Sequence, residues 1–343
     1  MKKLFSSVMV IIGTIIGAGF ASGKEIYIFF YKYQKYGFWG LVITSILLGA
    51  IIYAVIRSCQ KNNIDNYECF LRKICKSNSG YSIIKFIINT FLLMTFYVMA
   101  SAFGEYFKQE FNIIKIIGIA IIVVLSFFIL IRRTNGLIKV NTILVPVLII
   151  SIIYFGKINP YNITNVDLIN NGNINWFISS IIYASYNSII LIPVIVSISD
   201  SKVKPLLISA ISSMLIFILG SIIFFLLPNL DNIDKIEIPT LYIMSNFNII
   251  YKYIFGIVIL ISIFTSCISC GNAFLENFNN NNYKKIAIII CSVALVISEL
   301  SFSNLVNVLY PFFGVLGLLQ IGLIIKQYYK QSKIISKNPW KKE

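Results

Sequence analysis

Gly13-Thr14-Ile15-Ile16-Gly17-Ala18-Gly19-Phe20-Ala21-Ser22-Gly23-Lys24-Glu25 sits inside an apolar run that extends from Leu4 to Tyr31. A straight helix of that length would reach ~42 Å at 1.5 Å per residue, whereas a bilayer's hydrocarbon core is only ~30 Å thick. Glycine recurs at 13, 17, 19 and 23, and each weakens a helix by ~1 kcal/mol relative to alanine. The charged pair Lys24 and Glu25 follows at once. An apolar span that is overlong, rich in glycine and closed by charge reads as two half-helices with an unwound joint. Irregular backbone at membrane depth persists only where it lines a cavity within the protein. The joint is therefore the expected floor of a small-molecule site. A competing reading stays open: glycines at small-xxx-small spacing let helices pack closely.

The wider composition supports a membrane setting. Hydrophobic residues make up 58% of the chain and charged ones 12%, with mean hydropathy +0.84. Soluble domains are about half apolar and a quarter charged, so a single integral membrane domain is expected. The net charge of +16 lies in loops between apolar runs, where it sets topology, and implies no nucleic-acid partner. Histidine is absent, which removes the commonest metal ligand and the usual base near neutrality. With the carboxylates scattered as well, an intramembrane enzyme is argued against. No small-residue cleavage site precedes Lys24, so the first segment reads as a retained helix. Cys267 and Cys270 have no second pair at metal spacing, so they and the other four cysteines read as core packing.

Apolar runs bounded by charge, Pro, Asn or Gly give ten spans. They cover about 4–31, 38–56, 81–107, 113–131, 137–155, 176–199, 203–227, 249–274, 286–300 and 305–325. A short amphipathic surface helix is expected between Arg57 and Gly80, and an acidic loop between Pro228 and Asn248 carries Asp231, Asp234 and Glu237. With the N-terminus inside, the cytoplasmic loops and tail hold all but eight of the 29 lysines and arginines. This fits ten crossings of the cell membrane with both termini cytoplasmic. The loop after the fifth span divides the chain into repeats 1–156 and 157–328, followed by a basic cytoplasmic tail, 329–343. Five spans per half force the second half into inverted topology. That is the architecture in which solutes bind at the midplane, between interrupted helices at matching positions.

The sixth span is the counterpart of the first. It holds Tyr183-Ala184-Ser185-Tyr186-Asn187-Ser188 and then Pro193, so a second interruption is expected there. The open alternative is a polar packing face with a proline kink. Candidate substrate-binding residues are Gly17, Ala18, Gly19 and Phe20, through backbone N–H groups at a half-helix N-terminus. Tyr183, Ser185, Tyr186 and Asn187 join them from the sixth span. Charged residues within spans are functional candidates: Lys24, Glu25 and Glu105 for gating or proton relay, with Glu299, Glu276 and Asp200 weaker. Glu25 is suited to pairing with Lys24, binding a cation or passing a proton. In the eighth span Ser262, Thr265, Ser266 and Ser269 share one helical face. Such hydroxyls suit Na⁺ or bond back to their own helix.

The run from Gly13 to Phe20 resembles the first-helix signature of the amino acid–polyamine–organocation superfamily. Its continuation through Ile26, with Tyr183 to Asn187, resembles the YkvI-type amino acid permeases of bacteria. The resemblance implies an all-α fold with the LeuT-type 5+5 inverted repeat, first and sixth helices interrupted, and alternating access. In the sodium-coupled members one Na⁺ is held by two first-helix carbonyls and eighth-helix oxygens. The corresponding positions are Gly13 and Ile16, with Ser262, Thr265 and Ser266. The expected function is ion-coupled transport of a small solute, an amino acid by resemblance, driven by Na⁺ or H⁺ and needing no other cofactor. The alternative on the same fold is a ligand-sensing receptor subunit like those of spore germination.

Overall fold

The first apolar run breaks twice. In the computed structural model it forms α1 (Lys2–Ile15), α2 (Ala18–Ala21) and α3 (Lys24–Phe29). At the first break Gly17 is extended, with φ −91° and ψ −169°. At the second, Gly23 is left-handed, with φ +79°, a conformation that costs glycine nothing. A 3-10 turn, Tyr31–Tyr33, leads directly into α4 (Gln34–Asn62).

The structure describes residues 2–64, 66–75, 78–158, 175–199, 204–227, 236, 238–278, 280–298 and 302–337. After α4 come α5 (Tyr67–Ile74), α6 (Asn78–Phe111), α7 (Lys115–Leu130), α8 (Arg133–Ile158) and α9 (Asn175–Ile198). Then follow α10 (Pro205–Leu226), α11 (Pro239–Phe247), α12 (Ile249–Leu275), α13 (Asn280–Ile297) and α14 (Phe302–Lys337). The fold is all-helical among the described residues. Among the described residues seven stretches are long and apolar enough to cross a membrane: Lys24–Asn62, Asn78–Phe111, Arg133–Lys157, Asn175–Ile198, Pro205–Leu226, Ile249–Leu275 and Val308–Lys326. Lys115–Leu130 is a shorter apolar helix. The expected acidic-loop residues Asp231, Asp234 and Glu237, and also Asp200 and Glu299, lie outside the described residues. α14 continues helical as far as Lys337, into the stretch expected as the basic tail.

The apolar windows of α9 and α12 are 78% and 72% buried, against 33% for those of α8 and α14. The centre of the bundle is therefore α9 and α12, packed on the broken first span. The outer helices present a lipid-facing belt that includes Phe128 on α7 and Ile150 on α8.

Contrary to the expectation for the sixth span, α9 is unbroken from Asn175 to Ile198, Pro193 included. Two of its polar side chains bond to their own helix rather than to an opened backbone. Asn187 Nδ2 donates to the Tyr183 carbonyl (3.0 Å) and Ser188 Oγ to the Ser185 carbonyl (2.7 Å). The proline removes one donor, and the remaining turns stay wound.

The amphipathic surface helix is present as α5. Asn66 caps its N-terminus by accepting from Cys69 N, and Tyr67, Phe70, Leu71 and Ile74 face inward. On its outer side Glu68 accepts from Arg72 Nη2 (2.9 Å) and Tyr81 Oη (3.0 Å). The bond from the Arg72 guanidinium holds the Glu68 carboxyl below the usual carboxylate range. A depressed carboxylate contributes stability above its unfolded pKa and loses it as pH falls through the folded value. Wild type and Glu68→Gln are therefore expected to differ slightly in melting temperature near neutrality and to converge below about pH 4.

Candidate functional site

The break after Ile15 strands the last carbonyls of α1, which no longer have intrahelical partners. Hydroxyls of α12 take them. Ser262 Oγ donates to the Ile16 carbonyl at 2.7 Å, and Ser266 Oγ to the Gly13 carbonyl at 3.2 Å. Thr265 Oγ1 donates to the Ser262 carbonyl at 3.0 Å. One turn on, Ser269 Oγ donates to the Thr265 carbonyl, and Thr14 Oγ1 to Ser269 Oγ (3.1 Å). Of the residues matched from the sequence to the sodium-holding set, Gly13 and Ile16 thus meet Ser266 and Ser262 across one buried seam, and Thr265 bonds within α12. Close approach depends on Gly17, where an added Cβ would lie 2.9 Å from Ser266 Oγ.

On the far side of the break a second cluster forms. Glu25, in the first turn of α3, is buried. Its Oε2 accepts from Tyr186 Oη at 2.6 Å and from Tyr183 Oη at 3.2 Å. The two tyrosines sit three residues apart on α9, and therefore on one face. The Tyr186 ring stacks on Tyr310 of α14, with centroids 4.7 Å apart. Phe29 lies 5.2 Å from Tyr183 and 5.6 Å from Tyr186. The carboxylate folds back over Gly19, where any Cβ would collide with Oε1.

The second break is closed by α11, a helix that lies within the stretch expected as an acidic loop. Thr240 N donates to the Ser22 carbonyl (3.0 Å) and Thr240 Oγ1 to the Ala21 carbonyl (2.9 Å). Lys24 is buried, and its Nζ donates to the Ile236 carbonyl at 3.0 Å. Thr240→Val leaves the Ala21 carbonyl buried without that donor. The expected loss is about 2 kcal/mol, read as a lower melting temperature in detergent.

Other candidates lie elsewhere. Ser185 Oγ donates to the Gly314 carbonyl of α14 (2.6 Å), so it fixes helix packing. Asn187 bonds back to α9. Glu105 pairs with Lys115 Nζ (3.6 Å) across α6 and α7 and has no bond to the Glu25 cluster. Ala18 and Phe20 are fully enclosed. Sequence reasoning missed Phe29, Tyr310 and Thr240. Tyr310 precedes a mid-span proline, Pro311, which was the one available hint.

No family model matches the chain. It is 28% identical over 333 residues to the uncharacterized membrane protein YkvI of Bacillus subtilis (strain 168), covering 92% of this chain and 93% of that protein. It is 24% identical over 322 residues to the uncharacterized protein YyaD of the same bacterium, covering 90% and 92%. Among solved structures it resembles a Na⁺-coupled sialic acid symporter in a substrate-bound outward-open state. The TM-score is 0.59 at 14% identity, over 95% of this chain and 78% of that one. It also resembles Mhp1, a nucleobase-cation-symport-1 family transporter, closed with bromovinylhydantoin bound. There the TM-score is 0.61 at 12% identity, over 89% and 74%. At these identities the likeness establishes a shared fold, and none of these proteins is described as an enzyme.

Proposed function

We propose that this chain, which shares its fold with two cation symporters, is a secondary active transporter that couples uptake of an amino acid to Na⁺. The reading takes the chain as ten crossings of the cell membrane in two inverted repeats, 1–156 and 157–328, with both termini cytoplasmic. The observation that carries it is the pairing of stranded α1 carbonyls with α12 hydroxyls across a buried seam.

The donor set fits Na⁺. Gly13 O, Ile16 O, Ser262 O, Thr265 Oγ1 and Ser266 Oγ are uncharged hard oxygens, of the kind that unwound helix ends offer to this ion. In the structure the hydroxyls donate to the carbonyls. When the ion enters, those hydroxyls turn their lone pairs toward it and the carbonyls exchange a proton donor for a cation. The solute lies on the opposite side of the break, against Gly17, Ala18, Gly19 and Phe20 and the Tyr183–Tyr186 face of α9. Lys24, tied to the loop before α11, and Glu25, tied to α9, act as the outer gate, because both bonds must part before the break can be reached.

The test is uptake of radiolabelled amino acids into proteoliposomes under an inward Na⁺ gradient, with choline as control. Accumulation that follows the gradient supports the proposal. Absence of gradient-driven accumulation for every amino acid overturns it, and saturable binding without flux identifies the ligand-sensing alternative.

A further inference from the structure

We infer that Glu25 anchors a protonated amine of the solute, so that the site selects ligands of net positive charge. This rests on the transport reading only for its setting.

Because α9 stays wound through Asn175–Ile198, its N–H and C=O groups there are spent on one another. Polar recognition from this side must come from side chains, and the two that reach the break are the hydroxyls of Tyr183 and Tyr186. The short α2 offers only a few N–H groups. Glu25 is the charged side chain that these two hydroxyls hold, and its buried neighbour Lys24 donates to the Ile236 carbonyl.

A carboxylate buried at membrane depth is costly unless it is paired. The donors Glu25 has here are two neutral hydroxyls, which satisfy lone pairs without balancing charge. Tyr183 and Tyr186, which hold the carboxylate, pack with each other, Phe29 and Tyr310 at centroid distances of 4.7–5.6 Å. Aromatic faces beside a carboxylate attract an ammonium group, and do so more strongly when water is excluded.

A second carboxylate is disfavoured in the same place. Glu25 Oε1 leans directly over Gly19, beside the N–H groups that a ligand anion would use. A ligand with one carboxylate and one amine meets like charge at one end and opposite charge at the other. A ligand carrying an additional amine, or an amine and no carboxylate, gains the attraction without an equal opposing cost.

The experiment is binding to purified protein in detergent, read by thermal shift and equilibrium dialysis. The probes are L-lysine, 1,4-diaminobutane and L-norleucine, the last matching lysine in shape but lacking its ε-ammonium group. At least one cationic probe is expected to bind saturably and at least tenfold more tightly than norleucine. Glu25→Gln should weaken that probe at least 100-fold. Tyr186→Phe, which keeps the carboxylate and the ring, should weaken it less than tenfold and serves if Glu25→Gln fails to fold. Binding of norleucine as tight as either cation, no binding of either cation, or full affinity in Glu25→Gln overturns the inference. Binding without uptake in proteoliposomes would leave it standing and remove the transport reading instead.

Discussion

If uptake is coupled to Na⁺ as proposed, replacing Thr265 and Ser266 together by alanine is expected to abolish that dependence. The ratio of rates with and without Na⁺ should fall to about 1. Two of the five oxygens proposed to hold the ion disappear. The fold should survive, because interhelical hydroxyl bonds within membranes are worth only about 0.6 kcal/mol on average. Ser269→Ala, one turn along the same face, removes a bond to the Thr265 carbonyl and contact with Thr14 but none of the five oxygens. It is expected to keep its Na⁺ dependence. A double variant that folds and retains wild-type Na⁺ dependence removes the ion site from the seam.

Gly37→Ala is expected to be the most damaging single methyl group in the molecule. Gly37 lies in the second turn of α4, and a Cβ there would overlap the Phe30 carbonyl oxygen, 2.6 Å from its carbon and 3.1 Å from its α-carbon. Backbone meets backbone, so no rotamer change relieves the contact. Overpacking of this kind costs about 3 kcal/mol. The damage should also reach the site, since the Phe30 ring packs edge-on against Tyr183 at 4.9 Å, and moving Phe30 disturbs the tyrosine that holds Glu25. Gly322→Ala is the control: nothing lies within 4 Å of a Cβ there, and alanine favours the helix by about 1 kcal/mol. The comparison is melting temperature in detergent, followed by ligand binding. Equal stability of Gly37→Ala and Gly322→Ala would refute the close-approach argument.

Some of this was legible in the chain. The glycine spacing from Gly13 to Gly23 foretold a broken first span, because glycine's weak helix propensity acts locally. The positions of the apolar runs foretold the long helices, because a bilayer demands length and hydrophobicity from each segment alone. Hydroxyl periodicity placed Ser262, Thr265 and Ser266 on one face of α12 for the same reason. The sixth span was misread: its polar run and Pro193 predict a break, yet Asn187 and Ser188 spend their polarity on their own helix. Local sequence cannot say which of the two partners a side chain takes.

What the sequence by itself determined is membrane residence, the helical class and the first-span break, all consequences of properties carried residue by residue. What only the tertiary structure decided is which groups meet. The Tyr183–Tyr186 grip on Glu25, Tyr310 stacked beneath it, and Thr240 closing the second break join residues up to 219 positions apart. Pairings at that range depend on how helices cross, and crossing is fixed by packing of the whole bundle rather than by any one stretch of chain.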